Sequence, residues 1–332
     1  MKLLKVRTKD IARIANVSTA TVSRVLNGSP NVSEKTRQKV LMAIESLDYT
    51  PDLFAKNLAK KRYWEIGIGC TDEVFRGIES RDYQFYLKVI EGIQKYFSRK
   101  KCNFTIFSVD SKNLEENIKG KQGFLLVGGG VTKKTIDFFQ SIGKPVVLVD
   151  QYIYGYEIDC VVSNGFYGEY KLIKYFLDKG YRSIAYLFDT ATHFSYEQRR
   201  LGYEKAMYEK GYTPLVYPFN VKSNMLEITK RILKEHPEVE AIATCEDRVA
   251  LKVIECLKAL GKRVPDDVGV MGFDDIESAE TSNPALTTVN VFKEEMGSLA
   301  AKRLFDLLNN EDIRPTQISL FTNIVIRDSV KL

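Results

Sequence analysis

The sequence predicts an α/β protein: two Rossmann-like halves preceded by a small, basic, three-helix unit. Three observations carry this. From Trp64 onward, short apolar runs alternate with amphipathic helical stretches, the pattern of parallel strands covered by helices. Before that point, three short helical patterns follow one another with tight turns between them. The charge is also split: residues 1–62 hold 13 Lys and Arg against 5 Asp and Glu, or +8, and the rest hold 36 against 38, or −2. A basic segment ahead of a nearly neutral body suits a chain whose first domain meets a polyanion while the remainder does something else.

The first helix is expected over residues 8–15, with Thr8 as N-cap and Ile11, Ile14 and Ala15 on one side. Asn16 and Val17 make a tight turn. Ser18 then caps a second helix, whose apolar face is Val22, Val25 and Leu26. Its other face carries Thr19, Ala20, Ser23, Arg24 and Asn27, small side chains around one long cation. Asn27-Gly28-Ser29-Pro30 stops it. The third helix, 33–47, begins at Ser33 and is expected to bury Val40, Leu41, Ile44 and Leu47. After Tyr49-Thr50-Pro51 comes an amphipathic segment, 52–62, too short to be a stable helix alone.

In the body, strands are expected at 65–70, 103–109, 123–128, 145–150, 159–163, 183–188, 241–245 and 268–273. Helices fit around 85–99, 132–142, 166–179, 196–210, 225–235, 248–260 and 293–309. Ligands of such folds bind at the carboxyl ends of strands. No run of eighteen apolar residues exists, so no membrane span is expected, and the N-terminus lacks a signal-peptide core, which suits a cytoplasmic protein. The five cysteines are scattered, without a CxxC pair, and read as reduced thiols.

Catalytic chemistry is thin. There are two histidines, His193 and His236, and no GxSxG or HExxH. Gly128-Gly129-Gly130 lacks the spacing of a phosphate loop and reads as a strand-end turn. Neither an enzyme nor a cofactor or metal is expected.

The stretch KDIARIANVSTATVSRVLNGSPNVSEKTRQKVLMAIESLDYTP, residues 9–51, resembles the lactose/galactose repressor (LacI/GalR) family. Weaker matches recur at RRLGYEKAM (199–207), at 245–275 and at 283–308, so the resemblance covers nearly the whole length. It implies a dimeric transcription repressor: a helix-turn-helix headpiece (1–51), a hinge helix (52–62) and a core (63–332) of two periplasmic-binding-protein-type subdomains. Lobe one would take about 63–161 and 291–322, and lobe two about 162–290 and 323–332. Double-stranded operator DNA and a small-molecule effector are the implied partners.

Small side chains on the second helix let a recognition helix enter the major groove. The resemblance places Thr19 and Ala20 at base-reading positions, Ala20 offering a methyl to thymine. Arg24 suits guanine, and Thr21, Ser23 and Asn27 suit phosphates. Leu58 occupies the place of a leucine that wedges into the central base step. In the core, the resemblance implies an effector cleft lined by Phe85, Tyr86 and Asp150 from one lobe. Arg199, Phe219, Glu246 and Asp274 would come from the other.

Each has a plainer alternative: Phe85 and Tyr86 as core, Arg199 as a surface ion-pair partner, Asp274 as a helix N-cap. Together they suit a neutral sugar, since carboxylates and a guanidinium grip hydroxyls and aromatic faces meet C–H patches. The stretch before Phe85 loosely resembles regulators of galactosides, which makes galactose or a galactoside the first candidate. A soluble sugar-binding protein of transport is the alternative function, but it has no use for the basic headpiece.

Two predictions follow for DNA reading. Arg24→Ala costs roughly 1–3 kcal/mol at its target base pair and relaxes specificity there, as read by binding to operator variants. Leu58→Ala spares salt-sensitive non-specific binding but weakens binding to the bent operator. Unchanged specific affinity and bend angle in Leu58→Ala would refute the wedge.

Overall fold

The structure, a computed structural model, describes residues 8–26, 32–47, 63–80, 83–191, 193–311 and 313–332. Asn27, Leu58 and the whole expected hinge helix lie outside the described residues. The chain divides into two compact units, Met1–Arg62 and Tyr63–Leu332.

The first unit holds α1 (Thr8–Ile14), α2 (Thr19–Leu26) and α3 (Glu34–Ser46). Asn16 makes the turn between α1 and α2 at φ 52, a conformation asparagine tolerates better than most residues. The Ser18 hydroxyl accepts from the Thr21 N–H at 3.1 Å, and the Ser33 hydroxyl from the Thr36 N–H at 3.3 Å. Each satisfies a donor that the first turn leaves unpaired. Ile11, Ala12, Ala15, Val22, Val25, Val40 and Ala43 form the core. Two expectations fail here: Leu41 is 45% exposed and Ile14 is 52% exposed. On α3 the buried stripe runs through Val40, Ala43 and Ile44, and Leu41 sits about 100° around from Val40.

The second unit carries twelve strands among the described residues. They are β1 (Trp64–Cys70), β2 (Cys102–Ser108), β3 (Gly123–Val127), β4 (Val146–Val149), β5 (Asp159–Ser163) and β6 (Ile184–Asp189). The series continues with β7 (Leu215–Phe219), β8 (Ala241–Thr244), β9 (Gly269–Met271), β10 (Thr288–Asn290), β11 (Gln317–Leu320) and β12 (Asn323–Val325). The larger sheet runs β11-β5-β4-β3-β1-β2 and the smaller β7-β6-β8-β9, with every pairing parallel. β10 and β12 pair antiparallel as a separate ribbon. β5 stays whole in the larger sheet, so the chain leaves that sheet after Ser163, slightly beyond the expected boundary near 161.

The helices are α4 (Asp72–Glu79), α5 (Gln84–Phe97), α6 (Leu114–Ile118), α7 (Lys133–Ser141) and α8 (Gly165–Asp178). Beyond them lie α9 (Phe194–Glu209), α10 (Met225–Glu235), α11 (Asp247–Ala259), α12 (Glu277–Thr281) and α13 (Lys293–Leu308). Strands such as β3 and β4 are buried at every residue, which is why they read as unbroken apolar runs.

One helix pair sets the wall that carries Phe85 and Tyr86. On α5, a Cβ at Gly92 would strike the carbonyl oxygen of Glu294 on α13. On α13, a Cβ at Gly297 would strike the carbonyl oxygen of Val89 on α5. The two backbones therefore touch with nothing between them. Below this contact the buried Arg303 Nε donates to Asp159 Oδ1 at 2.6 Å, fixing α13 to β5. Gly297→Ala forces these helices apart and should lower stability by about 1–3 kcal/mol in chemical denaturation. An unchanged midpoint would contradict the contact.

Candidate functional site

On α2, Val22 and Val25 point into the core of the first unit. That leaves Thr19, Ala20 and Arg24 exposed, with Thr21 and Ser23 half-buried. The exposed face is thus short side chains with one guanidinium, on a helix held by its own core. This is a surface that can approach base edges closely.

In the second unit, the carboxyl ends of strands from both sheets border one cleft. Asp150 follows β4 at φ 58, and Asp274 follows β9 at φ 113, both in the left-handed region. Such conformations are uncommon outside glycine, and they turn each carboxylate off the end of its strand. Glu246 follows β8, Arg199 sits on α9, and Phe85 and Tyr86 open α5. These six residues line one small cavity with Tyr83, His193, Ser195 and Tyr196.

The groups there hold one another. Tyr86 donates its hydroxyl to Asp150 Oδ2 at 2.8 Å and accepts the Gly129 N–H at 3.2 Å. Arg199, fully buried, donates Nη2 to Asp274 Oδ1 at 2.9 Å and Nη1 to the Cys245 carbonyl. Its guanidinium lies 3.9 Å from the Phe273 ring centroid, a cation–π contact. Tyr196 donates to Glu246 Oε2 at 2.9 Å, and Arg248 pairs with Glu246 Oε1 at 3.2 Å.

Several bonds cross from one lobe to the other. Arg248 donates to the Tyr83 hydroxyl at 3.1 Å, and Gln84 Oε1 accepts from the Ser278 N–H and hydroxyl at 3.1 and 3.0 Å. Gln198 donates to the Tyr154 hydroxyl at 3.2 Å, and Lys293 Nζ, at the start of α13, donates to the carbonyls of Asp274 and Asp275.

Burial pushes the carboxyls of Asp150 and Asp274 up to about 6, against the pull of Arg199 on both. Burial also works against the charge of Arg199, but Asp274 and Asp150 outweigh it and hold its pKa above the usual value. Burial lowers the His193 pKa, which favours the neutral imidazole. Asp150 Oδ1 and Arg199 Nε, both buried, have no hydrogen-bond partner among the described residues.

The innermost cavity holds about 20 Å³, room for about one water. Three larger spaces adjoin it: one of about 210 Å³, sharing Tyr83, Phe85, Glu246 and Asp274, and two of about 710 Å³ and 560 Å³ that His193 also borders. The His193 ring packs against the bare face of Gly129, where a Cβ would lie 3.0 Å from it, and stacks on Tyr196 at 4.9 Å. The triple-glycine stretch is the turn leaving β3 and the floor of the cleft.

The seventh expected cleft residue, Phe219, is not with the others. It ends β7, where strand alternation turns it inward with Tyr217, and its side chain lies in the hydrophobic core. Only its carbonyl is used nearby, accepting from Thr190. Sequence reading also missed Tyr83, Tyr196, Arg248, Phe273 and Lys293. Arg248 stands two residues past Glu246 behind the same strand, and that adjacency was the available signal.

Residues 8–52 match the lacI family of bacterial regulatory proteins, and residues 173–330 match the periplasmic binding protein-like domain. Curated relatives include the ribose operon repressor of Haemophilus influenzae, 29% identical over 97% of this chain and 98% of that protein. The probable transcriptional repressor ExuR of Bacillus subtilis is also 29% identical, over 98% of each chain. These relatives are transcriptional repressors, not enzymes.

Among solved structures, a transcriptional regulator CelR–cellobiose complex superposes with a TM-score of 0.72 at 25% identity, covering 98% of this chain and 99% of that one. A lac repressor dimer bound to operator and an anti-inducer superposes with a TM-score of 0.70 at 21% identity, covering 99% and 100%. The chain thus carries a DNA-binding domain of the lacI family of bacterial regulatory proteins together with a periplasmic binding protein-like domain, as the lacI-type repressors it is similar to do.

Proposed function

We propose that this DNA-binding transcriptional repressor of the lacI family is switched by a neutral sugar held between the lobes of its core. One observation carries the reading. Asp150, Arg199, Glu246 and Asp274, with Phe85 and Tyr86, come from both lobes to line a single cavity. Carboxylates accept from sugar hydroxyls, the guanidinium donates to them, and the aromatic rings meet the C–H faces. Glu246 beside Asp274 disfavours an acidic ligand. Galactose or a galactoside is the first candidate.

The protein acts as a homodimer in this proposal, with helices near 85–99 and 132–142 in the interface and a near-palindromic operator. Thr19, Ala20 and Arg24 read bases, while Thr21, Ser23 and Asn27 hold phosphates. Leu58 wedges into the central step. Lobe one leads directly from the hinge segment 52–62, so a sugar that favours one lobe arrangement changes the spacing of the dimer's two hinges. A hinge helix that is marginal alone melts when its mate moves away, and operator affinity falls. The sugar shifts this balance only by its differential affinity for the two arrangements.

Arg199→Ala and Asp274→Ala should therefore bind operator and fail to release it. Asp274→Asn, which keeps the shape and a hydrogen-bonding group, guards against misfolding in the alanine variants. Titration calorimetry against neutral sugars and sugar phosphates, together with operator binding, tests this. Binding of a sugar phosphate alone, unaffected by removing Asp274 or Arg199, would overturn the neutral-sugar site.

A further inference from the structure

On the α8 side of Arg199 stands a carboxyl that the sugar reading does not use. Glu169 lies on α8, four residues after Gly165, and residues at that spacing share one helix face. A Cβ at Gly165 would lie 3.1 Å from Arg199 Cγ and 3.7 Å from its Nε, so this face of α8 is the one against the arginine. A helical side chain covers the turn on the N-terminal side of its own Cα. The Glu169 carboxyl therefore reaches back toward Gly165 and the Nε edge of the guanidinium.

Glu169 is fully buried, and neither of its oxygens has a hydrogen-bond partner among the described residues. Two neighbouring buried atoms share that condition: Arg199 Nε and the Tyr186 hydroxyl on β6, both electrostatically coupled to Glu169. The helices leave the carboxyl no way out. A Cβ at Gly202 on α9 would strike the carbonyl oxygen of Phe166 on α8, so the two backbones touch.

Few titratable or charged groups face it. α9 supplies Arg199 and Tyr203, β6 supplies Tyr186, and Cys245 follows β8 behind Tyr186. The Tyr203 hydroxyl is engaged, donating to the Ile184 carbonyl and accepting the Leu215 N–H. Arg199 is engaged as well, by Asp274 and by the charge of Asp150. Burial thus prevails over the guanidinium and pushes the Glu169 carboxyl well above the usual carboxylate range.

We infer that Glu169 is a positioning residue for Arg199: while it keeps its proton the guanidinium is directed to the cleft, and loss of that proton sets a rival carboxylate at Nε. The proton goes to solvent, and no other bond changes. One cation then faces anions on two edges, and its hold on acceptors in the cleft weakens. The effect on sugar affinity rests on the neutral-sugar reading above. The effect on Arg199 itself does not.

Chemical denaturation of the full chain across pH, with Glu169→Gln and Glu169→Met beside it, tests the buried proton. The unfolded chain releases this proton in the ordinary carboxylate range and the folded chain only above it, so stability falls as pH rises between the two. Both variants lack the proton, and their stability relative to the unsubstituted chain should rise with pH. Equal slopes in all three proteins would overturn the inference.

The positioning role is read by nitrogen NMR of arginine-labelled protein, at the Nε resonance that Arg199→Lys lacks. Shifts near about 6, where Asp150 and Asp274 titrate, are common to the unsubstituted chain and Glu169→Gln. A further shift should appear only in the unsubstituted chain. A slope difference with no such shift would leave Glu169 a buried acid without influence on Arg199, against the inference.

Calorimetry with galactose and glucose over the same range reads the cleft. Affinity should fall at least about threefold toward alkaline pH in the unsubstituted chain, and by less in Glu169→Gln. Equal falls in both would mean that the rival carboxylate does not reach the cleft, also against the inference. No binding of either sugar would count against the neutral-sugar reading, and the Nε resonance would still decide this one.

Discussion

The core is organised around one buried cation. Taking a guanidinium out of water costs several kcal/mol unless neighbouring groups replace the lost solvation. Arg199 therefore dictates what surrounds it: the Asp274 carboxylate, the Cys245 carbonyl and the Phe273 ring, all from the ends of the smaller sheet. Gly165 on α8 presents no side chain, so the stem of Arg199 lies directly against that helix. Three separate segments meet around one side chain. Without the cation, Asp274 would be left with Lys293 alone to offset its buried charge.

The same charge reaches across the cleft. It draws on Asp150 in the opposite lobe, whose carboxyl is bonded to Tyr86 and through it to the backbone of Gly129. Each lobe is thus self-consistent, and the polar interior of the cleft is shared. Around its rim, Arg248 with Tyr83 and Gln84 with Ser278 provide weaker, replaceable ties. Such an arrangement suits a protein with two lobe positions of similar free energy, because the strong pairs survive a rotation and the exposed ones exchange for water.

Much of the fold was legible because parallel strands buried on both faces announce themselves as apolar runs, as β3 and β4 do. The rest was hidden for physical reasons. Pro218 obscured β7, and the structure tolerates it because β7 is an edge strand. β10 and β12 have three residues each, too short to show a period, and β11 joins β5 from far along the chain. In the cleft, Asp150 was legible as an acid ending a strand, whereas Glu246 and Asp274 were reached through the family resemblance. The same resemblance reached Phe219 only across an alignment gap, and strand register turns that ring into the core. Tyr83, Tyr196 and Phe273 carried no signal beyond their type, since their roles come from contacts between distant segments.

The backbone at Asp150 and Asp274 narrows what the cleft can become. At φ 58 aspartate and asparagine are tolerated beside glycine, and at φ 113 any residue with a Cβ is strained, least so a short polar one. Descendants of this chain that adapt to a new effector are thus confined at both positions to a carboxylate, an amide or nothing. Diversification of ligand preference must come instead from positions with ordinary backbone, such as Glu246 and the aromatic residues that open α5. The acidic pair is the fixed element of the cleft's chemistry, held by chain geometry as much as by what it binds.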